Sequence, residues 1–114
     1  MLNETIDGTH RYYEWLTKGK DKLPHFVKRK DGNLLLMAGL YDCALIDNQP
    51  LWTFTIVTTE ANRDFDWLHE RQPVFLTTKQ DLETWLDTSI PAWTDALNRI
   101  VSRSYNDKSV PLDW

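Results

Sequence analysis

At 114 residues the chain has the length of one domain, and a domain of that size can bury roughly 65% of its unfolded surface; its 41% hydrophobic and 26% charged residues are ordinary for a soluble fold. No apolar run approaches the roughly 18 residues of a membrane span, and no charged start leads into an apolar stretch, so the sequence reads as lacking a signal peptide. The single Cys43 excludes an internal disulfide framework and a cysteine-built zinc cluster, and fits a reducing compartment.

The net charge of −4 is unevenly spread. Residues 1–34 hold seven Lys/Arg against five Asp/Glu, and residues 35–114 hold six against twelve. Six of the early cations fall between Lys18 and Lys30. An acidic chain has no bulk attraction to nucleic acid, so phosphate contacts would be local. The alternative is a solvated lysine-rich hairpin.

Residues 1–10 are polar and aperiodic and read as a loose start. Arg11 to Leu16 reads as a strand, with Tyr13 and Trp15 on one face and Tyr12 and Glu14 on the other. Lys18 to Lys22 is a charged turn around Gly19. Pro24 to Lys30 reads as a strand, Lys30-Asp31-Gly32-Asn33 as a hairpin turn, and Leu34 to Asp42 as its apolar return strand, buried on both faces. A polar turn over residues 47–50 leads into a strand from Leu51 to Thr59. Glu60 to His69 sets Ala61, Phe65 and Leu68 at helical spacing. Pro73 to Leu76 is a brief strand. Thr77 or Thr78 caps a helix running to about Asp87, with Leu82, Trp85 and Leu86 on one side. Ser89 and Pro91 open a last helix with Trp93, Ala96, Leu97 and Ile100 as its apolar stripe, and the tail over residues 103–114 is expected to be loosely held. The predicted class is α+β: one domain over residues 1–114, with a mostly antiparallel β-sheet and helices toward the C-terminal half.

Several side chains could carry chemistry. Glu14 is a carboxylate inside an aromatic strand; it either faces water or serves as an acid and base in a cleft. His69 is either a proton carrier or a cation closing a helix. Thr58 is explained by capping alone. Cys43 reads as a structural thiol. The three histidines show no metal-ligand spacing, and neither a phosphate loop nor a Gly-x-Ser-x-Gly motif is present.

The succession Tyr12-Tyr13-Glu14-Trp15, Leu23-Pro24-His25-Phe26 and Ala38-Gly39-Leu40-Tyr41-Asp42 continues through Phe54 to Asn62 and His69 to Leu76. In order and spacing it resembles the SRAP family, the SOS response-associated peptidase or abasic-site processing domains. The Leu23 to Gly32 stretch is most similar to eukaryotic, fungal members. The resemblance implies recognition of abasic sites in single-stranded DNA, and a covalent DNA–protein crosslink through a cysteine exposed at position two. It further implies thiol-dependent autopeptidase and lyase-type activity, no cofactor or metal, a monomer, no membrane, and an intracellular location, nuclear in a eukaryote. By the same resemblance Glu14 and His69 are catalytic, and Trp15, Thr58 and Arg71 bind DNA. The departures are specific. Leu2 follows Met1 where the family has its cysteine, Arg11 stands for the usual Gly, and Gln72 stands for the usual Met. The N-terminal part of the family domain is expected to be missing, leaving a partial copy. A non-covalent single-strand binder and an inactive remnant are the alternatives.

Overall fold

The longest apolar run of the sequence becomes the spine of the molecule. The computed structural model describes residues 3–87, 89, 94–106 and 112–113. Its elements in chain order are β1 (Asn3–Thr9), β2 (Tyr12–Lys18), β3 (Asp21–Arg29), β4 (Leu35–Ile46), β5 (Gln49–Ile56), β6 (Thr58–Glu60), β7 (Arg71–Pro73), α1 (Lys79–Trp85), α2 (Asp95–Asn106) and β8 (Leu112–Asp113). They form three antiparallel sheets in the orders β1-β4-β5, β2-β3-β8 and β6-β7.

β4 separates two cores because its side chains alternate. Leu35 and Met37 enter a cluster with Val27, Phe65, Leu68 and Phe75. Leu36, Ala38 and Leu40 enter another with Val74, Leu76, Trp85, Leu97 and Ile100. The expected burial of this strand on both faces is therefore met over its first half. Its far end, with β5, is open: Leu45, Ile46, Leu51, Trp52 and Phe54 are exposed.

The α+β class, with antiparallel sheets and late helices, matches the sequence reading. Thr78 is the N-cap of α1, its hydroxyl accepting from Asp81 N at 3.0 Å. Leu97 and Ile100 bury the inner stripe of α2; Pro91 and Trp93 lie outside the described residues. Asp47 and Asn48 both take positive φ (51° and 62°), the pair of conformations that closes a two-residue hairpin between twisted strands.

Four local expectations change. Residues 3–9 are a strand rather than a loose start, because β4 offers them a complete antiparallel partner from Leu35 to Tyr41. The Asp31-Gly32 turn does not join paired strands: β3 pairs with β2 and β8, while β4 belongs to the other sheet. The turn itself forms as its residues suggest. Gly32 has φ +78°, Gly32 N donates to Arg29 O, and Asp31 accepts from both the Arg29 guanidinium and Asn33 N. Those bonds hold the Asp31 carboxyl well below the usual carboxylate range.

Residues 63–68 form turns, not a helix, and Glu60 closes β6. Asn62 captures the local donors: its carbonyl accepts from Phe65 N and Asp66 N, and its side-chain oxygen accepts from Asp64 N. The side-chain bond to Asp64 N is the local competition that disfavours Asn within helices. The apolar spacing still aims Phe65 and Leu68 inward. In the tail, α2 continues to Asn106, and Arg29 and Lys28 of β3 pair with Leu112 and Asp113; residues 107–111 and 114 lie outside the described residues. Among the described residues no helix is long and apolar enough to cross a membrane.

Candidate active site

The β2–β3 ribbon sorts its side chains by strand alternation. Tyr12, Glu14 and Leu16 face inward and are half-buried, while Tyr13 and Trp15 face outward with 58% and 50% of their surface exposed. Glu14 is therefore not on the wet face. Only 19% of its side chain is exposed, and Oε1 accepts a hydrogen bond from Trp15 N at 3.2 Å.

The loop that failed to become a helix carries His69 to this carboxylate. His69 Nε2 lies 3.8 Å from Glu14 Oε1. The separation exceeds a hydrogen bond, so both groups keep a free position for a substrate atom. The imidazole is aimed by its other nitrogen: Nδ1 lies 3.1 Å from both Arg71 N and Arg71 O, accepting from the first in one neutral tautomer and donating to the second in the other. When the ring is charged, Nδ1 donates to Arg71 O. His69 does not close a helix, since residues 63–68 before it are turns.

Thr58 and Arg71 also meet, on the short β6–β7 ladder, where Thr58 opposes Pro73 and Glu60 opposes Arg71. Arg71 Nη2 donates to both Thr58 O and Thr58 Oγ1 at 3.0 Å. Thr58 thus orients a guanidinium and caps nothing. Gln72, the buried neighbour of Arg71 on β7, accepts from Asn62 N through Oε1 at 3.0 Å and so ties the start of the turn segment to β7. Four of the five residues singled out from the sequence fall into two contacting pairs, Glu14 with His69 and Thr58 with Arg71. Trp15 stands on the opposite face of the ribbon from Glu14.

The sequence reading missed the surroundings. His25 opposes Glu14 directly across the ribbon, and its ring meets the Trp67 indole edge-to-face at 5.4 Å between centroids. Register counted from the Gly19-Lys20 turn would have found His25; Trp67 needed the path of the 63–68 turns. Beneath them the Tyr12 hydroxyl is buried with no hydrogen-bond partner among the described residues. Burial, and secondarily the Glu14 carboxylate, push its phenol above the ordinary value. On the outer face Tyr13 and Phe26 rings lie 4.4 Å apart, and the Arg11 guanidinium sits 5.0 Å from the Phe26 ring centre. Among the described residues no group of three or more His, Cys, Asp and Glu side chains is arranged to hold a metal ion.

A family model for the SOS response associated peptidase (SRAP) matches residues 7–112. An abasic site processing protein of Saccharomyces cerevisiae is 37% identical over 101 residues, covering 87% of this chain and 27% of that protein. The abasic site processing protein YoqW of Bacillus subtilis is 40% identical over 78 residues, covering 67% of this chain and 34% of that protein. The chain thus spans about a quarter to a third of the length of these curated relatives. A crystal structure of a Bacteroides thetaiotaomicron protein superposes with a TM-score of 0.74 at 28% identity, covering 97% of this chain and 47% of that one.

Proposed function

The chain belongs to the SRAP family, the SOS response associated peptidases, and from that membership we propose that it processes abasic sites in single-stranded DNA with Glu14 and His69 as its acid–base pair. The observation that carries the reading is the 3.8 Å approach of these two groups from distant parts of the chain. An abasic sugar presents an aldehyde. Attack on it by an amine or thiol requires a base to take the nucleophile's proton and an acid to release water from the adduct. Glu14 supplies the carboxylate, and His69, with Nε2 toward Glu14, supplies the proton. Arg71, oriented by Thr58, keeps Nε and Nη1 for a phosphate oxygen.

The crosslink through a position-two cysteine belongs to the same proposal for the family domain. In this sequence Leu2 follows Met1, and Cys43 lies on β4 opposite Trp52, in a different sheet from Glu14. An intracellular site of action, nuclear in a eukaryote, follows from the substrate, and the protein is proposed to act as a monomer.

A second reading is favoured by the outer face of the ribbon: the chain holds single-stranded DNA without bonding to it. Tyr13, Trp15 and Phe26 are exposed there beside Arg11, and stacking on such rings is worth about 1–3 kcal/mol per base. One experiment separates the two. The chain is incubated with an abasic single-stranded oligonucleotide and with an intact one. Capture of the sugar aldehyde by an O-alkylhydroxylamine is followed in solution, and adducts are read on a denaturing gel. Faster capture that Glu14→Gln or His69→Ala slows about 100-fold supports acid–base processing. Equal binding of both strands with no acceleration leaves only the holding role. No shifted band ends the crosslink for these 114 residues.

A further inference from the structure

We infer that His25 is a second acid–base group of the Glu14 cleft, presenting a basic Nε2 to the abasic sugar while His69 presents an acidic one. The inference rests on the abasic-site reading above, but the role it adds attaches to a residue to which the family resemblance assigns no function.

Four observations place His25 there. It is the direct cross-strand partner of Glu14, and side chains so opposed have Cβ atoms about 5 Å apart on one face of the ribbon. It is half-buried, like Glu14, on the inward side. Its ring is braced by the Trp67 indole at 5.4 Å, and that indole is itself fixed, Nε1 donating to Asp64 O at 3.1 Å. Trp67 lies two residues before His69, so a single turn segment positions one imidazole and supports the other.

The two rings offer Nε2 in different states. His25 Nδ1 lies 3.2 Å from the Leu23 carbonyl oxygen. A carbonyl only accepts, so the ring proton sits on Nδ1 and the lone pair of neutral His25 is on Nε2. The charged His69 ring donates from Nδ1 to Arg71 O at 3.1 Å and carries its other proton on Nε2, 3.8 Å from Glu14 Oε1. Glu14 therefore has a base on one side and an acid on the other.

That arrangement matches the step that precedes aldehyde capture. The abasic deoxyribose rests mainly as a closed hemiacetal. Its C1′ hydroxyl proton passes to His25 Nε2, and the O–H electron pair becomes the second bond of the carbonyl. The C1′–O4′ bond breaks, and O4′ takes a proton from the His69 imidazolium. One proton is gained by His25 and one is lost by His69, so charge and atoms balance without a further reactant.

The test uses the whole chain. His25→Asn keeps a donor for the Leu23 carbonyl and removes Nε2, so the strand retains its local bond. Wild type should speed capture of an abasic oligonucleotide's aldehyde by an O-alkylhydroxylamine. His25→Asn should lose about 100-fold of that rate while binding an oligonucleotide with a tetrahydrofuran abasic analogue within about twofold of wild type, and free imidazole should restore part of the loss. Long-range proton–nitrogen NMR of the free protein, above the imidazole titration, should find His25 protonated on Nδ1. A wild-type rate in His25→Asn, or His25 protonated on Nε2, overturns the inference and leaves the acid–base reading of Glu14 and His69 standing. Wild type without any acceleration removes that reading and the role of His25 together.

Discussion

Replacing Trp85 by alanine should lower the melting temperature by about 12–20 °C. The indole is fully buried among Ala38, Val74, Leu76, Leu97 and Ile100, and its Nε1 donates to Thr5 O at 3.0 Å, joining the end of α1 to the first strand. Truncating a large buried aromatic costs about 3–5 kcal/mol, of which the hydrogen bond contributes about 1 kcal/mol. A domain of this length is stable by about 6–17 kcal/mol, and near this size 1 kcal/mol moves the midpoint by about 4 °C. Trp85→Phe keeps most of the apolar volume and loses the donor, so its midpoint should fall only about 4–8 °C. Thermal melts followed by far-UV circular dichroism give both midpoints, and hydrogen exchange at the Ile6 and Asp7 amides reports whether β1 loosens first. A Trp85→Ala melt within about 3 °C of wild type, with β1 exchange unchanged, would refute the docking of α1 on the β1–β4 sheet.

Tyr12→Phe should leave stability at neutral pH within about 1 kcal/mol, because the hydroxyl it removes is buried without a partner. Burial raises the folded phenol above its unfolded value, so the stability linked to Tyr12 is complete below about pH 10 and is lost as pH rises beyond it; denaturant titrations across that range should show the alkaline loss in wild type and a flatter profile in the variant. Trp15→Ala should weaken binding to intact single-stranded DNA by about 1–3 kcal/mol in fluorescence anisotropy, with a stability change under about 0.5 kcal/mol because the side chain is half exposed. Arg71→Ala should weaken the same binding across all sequences and make the plot of log affinity against log salt shallower by about 0.7, the value of one lost phosphate contact on a single strand.

Much of the site was legible because strand alternation is a local rule. Counting by two from Tyr12 assigns Glu14 to the face opposite Tyr13 and Trp15, and the molecule keeps that assignment. What alternation leaves open is which face meets water. That depended on the turn segment over residues 63–68, which sequence spacing reads as helix and which Asn62 instead folds into turns. The misreading did not displace Phe65 or Leu68 from the core, since apolar burial constrains both structures alike. It did change what could be said of His69: a helix end would have turned a cation to solvent, whereas the turns deliver the ring to Glu14.

By itself, the sequence determined the family, the antiparallel strands, a helix cap at Thr77 or Thr78 and the turn residues, and through the family resemblance it singled out Glu14 and His69. These rest on short-range pattern, hydrogen-bonding side chains and motif spacing, all of which act within a few residues. The tertiary structure decided where the strands pair and what the pair faces. β1 became a strand because β4 was available to it, and β3 and β4 separated into different sheets across a turn that suits a hairpin. Those outcomes follow from burying β4 on both faces at once, a requirement no local window contains.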